Sequence, residues 1–279
     1  MGAQAVPQDR FLTINGMRLH YLDWGGGGGA VLLLHGFTAH AHAWDDLAQA
    51  LSPSYHVLAL DQRGHGDSDW ARDGAYATED HLADIAGFVE AMGLSRLAII
   101  GHSMGGRNAI AYAACYPEKV ERLVLVDSRP ASDAGGADMV RRLLSLIPPQ
   151  VVSVDEVVPG LLQLFPGLSP EMAYHLVRYG FRELATGRLV PKYDMAIGAQ
   201  AHRAGYAAAD LWPFIRQIRC PTLIIRGAES PVLTHEAALR MAGAIARSQL
   251  IEIEGAGHLV PQESPRAFET AVRRFLEGS

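Results

Sequence analysis

The chain of 279 residues is 49% hydrophobic and 19% charged, which supplies enough apolar side chain for a large core and excludes a disordered or fibrous polymer. Twenty-four basic residues against thirty acidic ones give a formal net charge of -6, which attracts neither phosphate backbones nor anionic lipid, so no nucleic-acid and no membrane partner is expected. The longest unbroken apolar run, residues 109–116, falls well short of the roughly 20 residues needed to cross a bilayer.

The first residues lack the basic and apolar regions of a signal peptide, and Gly2 is not followed by the hydroxyl residue of a myristoylation site, so a cytoplasmic location is expected. Residues 11–14 and 18–21, separated by Asn15-Gly16, predict an antiparallel hairpin at the start of a sheet. The five glycines 25–29 precede a strand instead of opening a helix, so they read as a turn and not as a phosphate-cradling loop. Short runs rich in Val, Ile and Leu follow at 30–34, 56–60, 96–100, 122–126, 222–225 and 250–253, the pattern of buried parallel strands. Between them, residues 44–51, 79–92, 104–115, 235–245 and 265–276 have helical period. Strand and helix in alternation predict an α/β fold with a doubly wound, mostly parallel sheet.

That alternation breaks once, between Arg129 and Cys220, where only helical patterns occur. Met139, Val140, Leu143, Leu144 and Ile147 share one face of a helix, and Ser169-Pro170-Glu171 is a cap and first turn for another running toward Leu184. The division expected is a core of residues 1–130 and 209–279 carrying an all-helical insertion at 131–208. Cys115 and Cys220, far apart and without a CxxC pairing, predict small buried hydrophobes and neither a disulfide framework nor a zinc site.

Gly101-His102-Ser103-Met104-Gly105 is the one GxSxG of the sequence, and it falls between a predicted strand and a predicted helix. Small residues suit positions 101 and 105 because that turn is too tight for side chains, and Ser103 would be held strained with its hydroxyl exposed. A serine hydroxyl needs a base to become a nucleophile at neutral pH. Among twelve histidines, His258 fits that role, because Gly255-Ala256-Gly257-His258 follows the last strand and lies late in the chain at the same sheet edge as Ser103. The oxyanion would be held by two backbone amides, Met104 after the nucleophile and Phe37 in the loop after the strand 30–34. His35 beside it reads as a strut for that loop.

His35-Gly36-Phe37, Asp61-Gln62-Arg63-Gly64-His65-Gly66-Asp67-Ser68, Gly101-His102-Ser103-Met104-Gly105-Gly106 and Gly255-Ala256-Gly257-His258, in that order, closely resemble the α/β-hydrolase superfamily over nearly the whole chain. The resemblance implies an eight-stranded sheet with a helical cap inserted after strand six, and a structural role for Asp61 and Arg63. It also implies an aspartate three residues after the glycine that follows strand 222–225, but in Gly227-Ala228-Glu229-Ser230-Pro231 a serine stands there. Glu229 is the nearest carboxylate and the first candidate for the acid that orients His258. Asp127 is the second, since some members of the superfamily supply the acid from the end of the 122–126 strand; an aspartate there also suits a turn.

The expected function is hydrolysis of a carboxylic ester or lactone, a small-molecule substrate, through an acyl-enzyme on Ser103, with no metal or cofactor required. Serine in the nucleophile position argues against the dehalogenase and epoxide hydrolase branches, which use aspartate. Two other readings stay open. One is a cofactor-free C–C bond hydrolase or a perhydrolase on the same triad, although His258 is followed by Leu259-Val260-Pro261 where such C–C hydrolases commonly carry tryptophan. The other is a non-catalytic ligand receptor of the same fold. Trp44, Tyr174 and Leu259 are candidate substrate contacts. Phe165, Met172, Tyr179 and Phe181, with Tyr174, either line a pocket or pack the insertion on the core, while His40 and His42, just beyond the oxyanion loop with Trp44, either touch substrate or are solvated residues at a helix start.

Overall fold

The computed structural model describes residues 5–131, 134–201 and 209–278. β1 (Gln8–Ile14) and β2 (Met17–Asp23) form the expected hairpin, and Asn15 and Gly16 both take positive φ, as a two-residue turn matching strand twist requires. Four parallel strands follow, β3 (Ala30–Leu34), β4 (His56–Leu60), β5 (Leu97–His102) and β6 (Val120–Val126), interleaved with α1 (Asp45–Leu51), α2 (Thr78–Ala91) and α3 (Met104–Cys115).

Between β6 and the next sheet strand lie α4 (Ala134–Leu146), α5 (Val158–Leu164), α6 (Pro170–Gly180), β7 (Phe181–Glu183), β8 (Leu189–Pro191) and α7 (Met195–Ala201). The chain then closes with α8 (Trp212–Ile215), β9 (Thr222–Gly227), α9 (His235–Ala244), β10 (Ser248–Ile253), α10 (Val260–Glu263) and α11 (Pro265–Glu277). The main sheet has eight strands in the order β1-β2-β4-β3-β5-β6-β9-β10, antiparallel at β1-β2 and β2-β4 and parallel from β4 onward.

Alternate side chains of each strand enter opposite layers. Leu32, Leu34, Ile99, Leu123 and Ile224 pack with α2, α3 and α9 on one face, while Val31, Leu33, Ile100, Val124 and Ile225 pack with α1 and α11 on the other. Both faces are therefore covered, which is why these strands read as continuous apolar runs.

The segment between β6 and β9 has a hydrophobic cluster of its own, built from Val151, Val158, Phe165, Val177 and Phe181 among others. It is not all helical. α6 stops at Gly180 and does not reach Leu184, because the chain turns there into β7, which pairs antiparallel with β8 through Phe181–Pro191, Arg182–Val190 and Glu183–Leu189. The expected segment boundary at 208 lies outside the described residues. Cys220 is buried as expected, but Cys115, the last residue of α3, is exposed. No described helix is long and apolar enough to cross a membrane.

The loop 61–68 is a polar keystone. Asp61, buried, accepts from the Ala41 amide at 2.6 Å, the Asp67 amide at 2.9 Å and His20 Nδ1 at 2.7 Å, and so ties the loops after β3 and β4 to β2. Burial alone would raise its pKa, but these bonds and the charge of His20 outweigh it and hold the carboxyl well below the usual range. Arg63 meets Asp84 of α2 with two parallel hydrogen bonds of 2.6 and 2.8 Å.

Candidate active site

Ser103 stands between β5 and α3 with φ 51° and ψ -113°, a strained left-handed conformation that lifts its hydroxyl out of the turn. The glycines on either side are dictated by contact. A Cβ on Gly101 would lie 2.5 Å from the Gly105 carbonyl oxygen, and one on Gly105 would lie 2.2 Å from that of Leu34. The turn is fixed from below by the Ser103 amide, which donates to Val126 at 3.0 Å, and by the Ser128 hydroxyl, which donates to the Ser103 carbonyl at 2.8 Å.

His258 follows β10 and brings Nε2 to 3.1 Å from Ser103 Oγ. Its loop is clamped from both sides by one carboxylate, Glu263, which accepts from the Gly257 amide at 2.7 Å and the Leu259 amide at 2.9 Å. Beneath it, His102 Nε2 donates to the His258 carbonyl at 2.9 Å. Burial and the nearby His258 push the His102 pKa down to about 3, so this strut is neutral at pH 7.

The carboxylate that meets His258 is that of Asp127, the second candidate, and not that of Glu229, the first. Asp127, fully buried at the end of β6, places Oδ2 at 2.7 Å from His258 Nδ1 and 2.5 Å from the Ser230 hydroxyl, which donates to it. Glu229 is exposed, and its carboxylate makes no hydrogen bond among the described residues. The reason is the turn after β9: the Ser230 amide donates back to the Gly227 carbonyl and the Glu229 amide to the Ala256 carbonyl, so Ser230 faces Asp127 and Glu229 points to solvent. The serine standing where the superfamily resemblance implies aspartate is thus a hydrogen-bond partner of the carboxylate on the neighbouring strand.

The loop after β3 lies against the Ser103 turn, since a Cβ on Gly36 would come within 3.3 Å of Ser103 Cβ. His35 is its strut. It donates from Nδ1 to the Gly36 carbonyl at 2.7 Å and accepts at Nε2 from the Gln62 amide at 3.0 Å, while Gln62 is held in turn by Asn108 at 2.7 Å. The amide of Phe37 makes no hydrogen bond among the described residues, and that of Met104 heads α3, where the first amides have no partner inside the helix.

Over this site lies a cavity of about 120 Å³. Phe37, Ser103, His258 and Leu259 line its floor; Met139, Val140 and Leu143 of α4 and Ile147 just after it, with Phe165 and Phe181, form its walls. No Lys, Arg, Asp or Glu lines it among the described residues. Of the expected substrate contacts, Leu259 is present. Trp44 is not: it is buried in the core, 6.3 Å from the ring of Phe268. Tyr174 is not either, because its side of α6 faces solvent and its hydroxyl donates to Asp155 at 2.7 Å. Met172 and Tyr179 also lie off the cavity, the latter stacked on His42 at 3.7 Å.

The α4 face and Tyr193 of the wall were missed as lining residues. The helical stripe at 139–147 was visible, but nothing in it distinguishes a face toward a cavity from a face toward a core.

A family model described as alpha/beta hydrolase fold matches residues 29–265. The chain belongs to the α/β-hydrolase family. A 2-(acetamidomethylene)succinate hydrolase of Mesorhizobium japonicum is 28% identical over 259 residues, covering 90% of this chain and 89% of that one. An N-formylmaleamate deformylase of Pseudomonas putida is 30% identical over 268 residues, covering 95% of each. The crystal structure of E-2-(acetamidomethylene)succinate hydrolase superposes with a TM-score of 0.89 at 26% identity over 98% of this chain and all of the other. That of an esterase from Mycobacterium tuberculosis superposes with a TM-score of 0.79 at 26% identity, covering 98% and 92%. This α/β hydrolase is thus similar to enzymes of several hydrolytic chemistries on one scaffold.

Proposed function

We propose that this hydrolase cleaves an uncharged carboxylic ester or lactone through an acyl-enzyme on Ser103. The observation that carries the reading is the chain Ser103 Oγ, His258 and Asp127 Oδ2, joined at 3.1 and 2.7 Å beneath an apolar cavity. Ser103 Oγ attacks the carbonyl carbon while His258 Nε2 takes its proton, and Asp127 holds Nδ1–H and offsets the imidazolium charge. The amides of Phe37 and Met104 receive the oxyanion. His258 then returns the proton to the departing alkoxide, and a water molecule, deprotonated by the same ring, releases the acid. The segment between β6 and β9 serves as the lid that sets the acyl pocket.

The absence of cationic side chains among the described lining residues favours neutral substrates over the carboxylate-bearing ones in the names of the first two relatives, since a buried carboxylate without a partner is strongly penalised. A panel of neutral p-nitrophenyl alkanoates, lactones, p-nitrophenyl hemisuccinate and a vinylogous diketone tests this. The neutral esters or lactones are expected to exceed the hemisuccinate in kcat/KM by about 10² or more. Preference for the hemisuccinate, or for C–C cleavage of the diketone, would overturn it.

A further inference from the structure

One wall of the cavity over Ser103 is not fastened to the core along its own length. Met139, Val140 and Leu143 of α4 form it, and α4 packs within the segment between β6 and β9: a Cβ on Gly160 of α5 would lie 2.9 Å from Leu146, and one on Gly198 of α7 would lie 2.8 Å from Leu144. The hydrogen bonds of its described side chains stay inside the helix, Asp138 meeting Arg141 at 2.8 Å and Arg142 at 2.7 Å, and Ser145 donating to the Arg142 carbonyl at 2.7 Å. Further along the segment the core takes hold directly. His40 Nε2 lies 2.9 Å from the Leu176 carbonyl of α6, and after β8 Lys192 meets Asp67 at 2.7 Å while the Asp194 amide donates to the Gly64 carbonyl at 2.8 Å. These bonds hold α6 and β8, and they leave α4 to be set by the root from which it springs.

That root is held by Arg107. Its amide donates to the Ser103 carbonyl at 3.1 Å in the first turn of α3, and its guanidinium reaches across to the chain that leaves β6. Nη1 donates to the carbonyls of Arg129 at 3.1 Å and Pro130 at 2.9 Å, and Nη2 to that of Ala209 at 2.5 Å. Residues 129 and 130 are where the segment leaves the core and 209 is where it returns, and the Leu211 amide joins the two roots by donating to the Pro130 carbonyl at 2.9 Å. One planar fork thus ties both roots to the helix that begins at Ser103, a span that a guanidinium covers and a single ammonium does not. The same stretch of chain carries the acid. Asp127, just before Ser128 and Arg129, has φ 42°, a conformation that persists only where its surroundings over-determine it.

We infer that Arg107 is a positioning residue that clamps the two roots of the lid to the nucleophile helix and thereby sets the α4 wall of the acyl pocket. It touches no reacting atom. Without the guanidinium the roots keep their bond to each other but lose these three ties to α3, so α4 samples positions that no longer close on an acyl chain. A substrate too short to reach α4 is spared.

The kinetic consequence rests on the hydrolase reading, whereas amide hydrogen exchange reads the clamp without a substrate. In Arg107→Met, exchange in α4 is expected to accelerate about tenfold or more while β5 and β6 keep their wild-type protection. KM for p-nitrophenyl hexanoate should rise about tenfold at little-changed kcat, and kcat/KM for p-nitrophenyl acetate should change by less than about threefold. Arg107→Lys, whose one nitrogen cannot span all three carbonyls, should show the same pattern at about threefold, and it carries the test alone if Arg107→Met does not fold. Unchanged α4 exchange, exchange that rises in β5 as much as in α4, or equal losses of kcat/KM for the two esters would each overturn the clamp, the last two because they mark a residue that serves only the fold. If α4 exchange rises as expected and wild-type protein hydrolyses neither ester, the hydrolase reading fails and the clamp stands.

Discussion

Asp127→Asn is expected to lower kcat on a p-nitrophenyl ester by about 10³ to 10⁴, while Glu229→Gln changes it by less than about twofold. The substituted amide would still reach His258 Nδ1, but an amide nitrogen there favours the tautomer that leaves Nε2 protonated, and no charge remains to offset the imidazolium. Folding should survive the change. Asp127 has φ 42°, a conformation that asparagine tolerates better than most residues, and its amide bond to the Ile225 carbonyl at 2.8 Å does not involve the side chain. A second variant sharpens the assignment. Asp127→Asn combined with Ser230→Asp places a carboxylate at the position whose hydroxyl now sits 2.5 Å from Asp127 Oδ2, and should recover at least about tenfold of the lost rate. Equal losses for Asp127→Asn and Glu229→Gln, measured as kcat at saturating ester, would return the acid role to the loop after β9.

The second large effect is a steep loss of stability in mild acid. Five buried rings are kept neutral by the fold: burial holds His35 and His102 at about 3, His40 and His65 at about 4 and His81 well below its ordinary value, with repulsion from neighbouring rings adding to the shift of all but His65. The unfolded chain protonates such rings near pH 6.5, while the native protein does not until far lower. For a group whose folded pKa is depressed, the stabilisation is present above the unfolded pKa and is lost as pH falls toward the folded one. At pH 5 each ring has forfeited about 2 kcal/mol, several kcal/mol in all, against a total of about 5–15 for a typical domain.

His20 works in the other direction. Burial disfavours its charge, but the bond and charge of Asp61 raise its pKa on balance, so its contribution is full below pH 6.5 and fades as pH rises above it. His175, raised by its hydrogen bond to Asp45, acts with His20, but two rings do not offset five. Urea unfolding at pH 7.5 and at pH 5 should therefore show a marked fall in midpoint at the lower pH, and an unchanged midpoint would contradict the neutral-ring assignment. Because two of these rings brace the site, His35 through Gln62 and His102 through the His258 carbonyl, activity should fade with the fold and not merely titrate.

Most of the sheet was legible because both its faces are buried, so β3, β4, β5, β6, β9 and β10 each declare themselves as short aliphatic runs, and Asn15-Gly16 declares the hairpin. The nucleophile position was legible for a steric reason: only glycine fits at 101 and 105. What failed to show was whatever depends on direction after a turn. Glu229 and Asp127 are equivalent in chain order. The choice between them is made by two backbone hydrogen bonds at residues 229 and 230 that turn the glutamate outward. β7 and β8 were missed because three-residue strands are too short for alternation to register. Tyr174 and Val177 stand three residues apart on α6, yet the first bonds Asp155 at the surface and the second lines the cavity; helical phase, invisible without knowing the packing partner, decides this.

Ser103 as nucleophile is tested by intact-protein and peptide mass spectrometry after treatment with a fluorophosphonate, run beside ester hydrolysis by Ser103→Ala. The expected result is one phosphonyl adduct mapped to Ser103, with Ser103→Ala unlabelled and its ester turnover reduced by about 10⁴ or more. An unlabelled Ser103 in folded protein, or a Ser103→Ala variant that still hydrolyses the ester at the wild-type rate, would contradict the account.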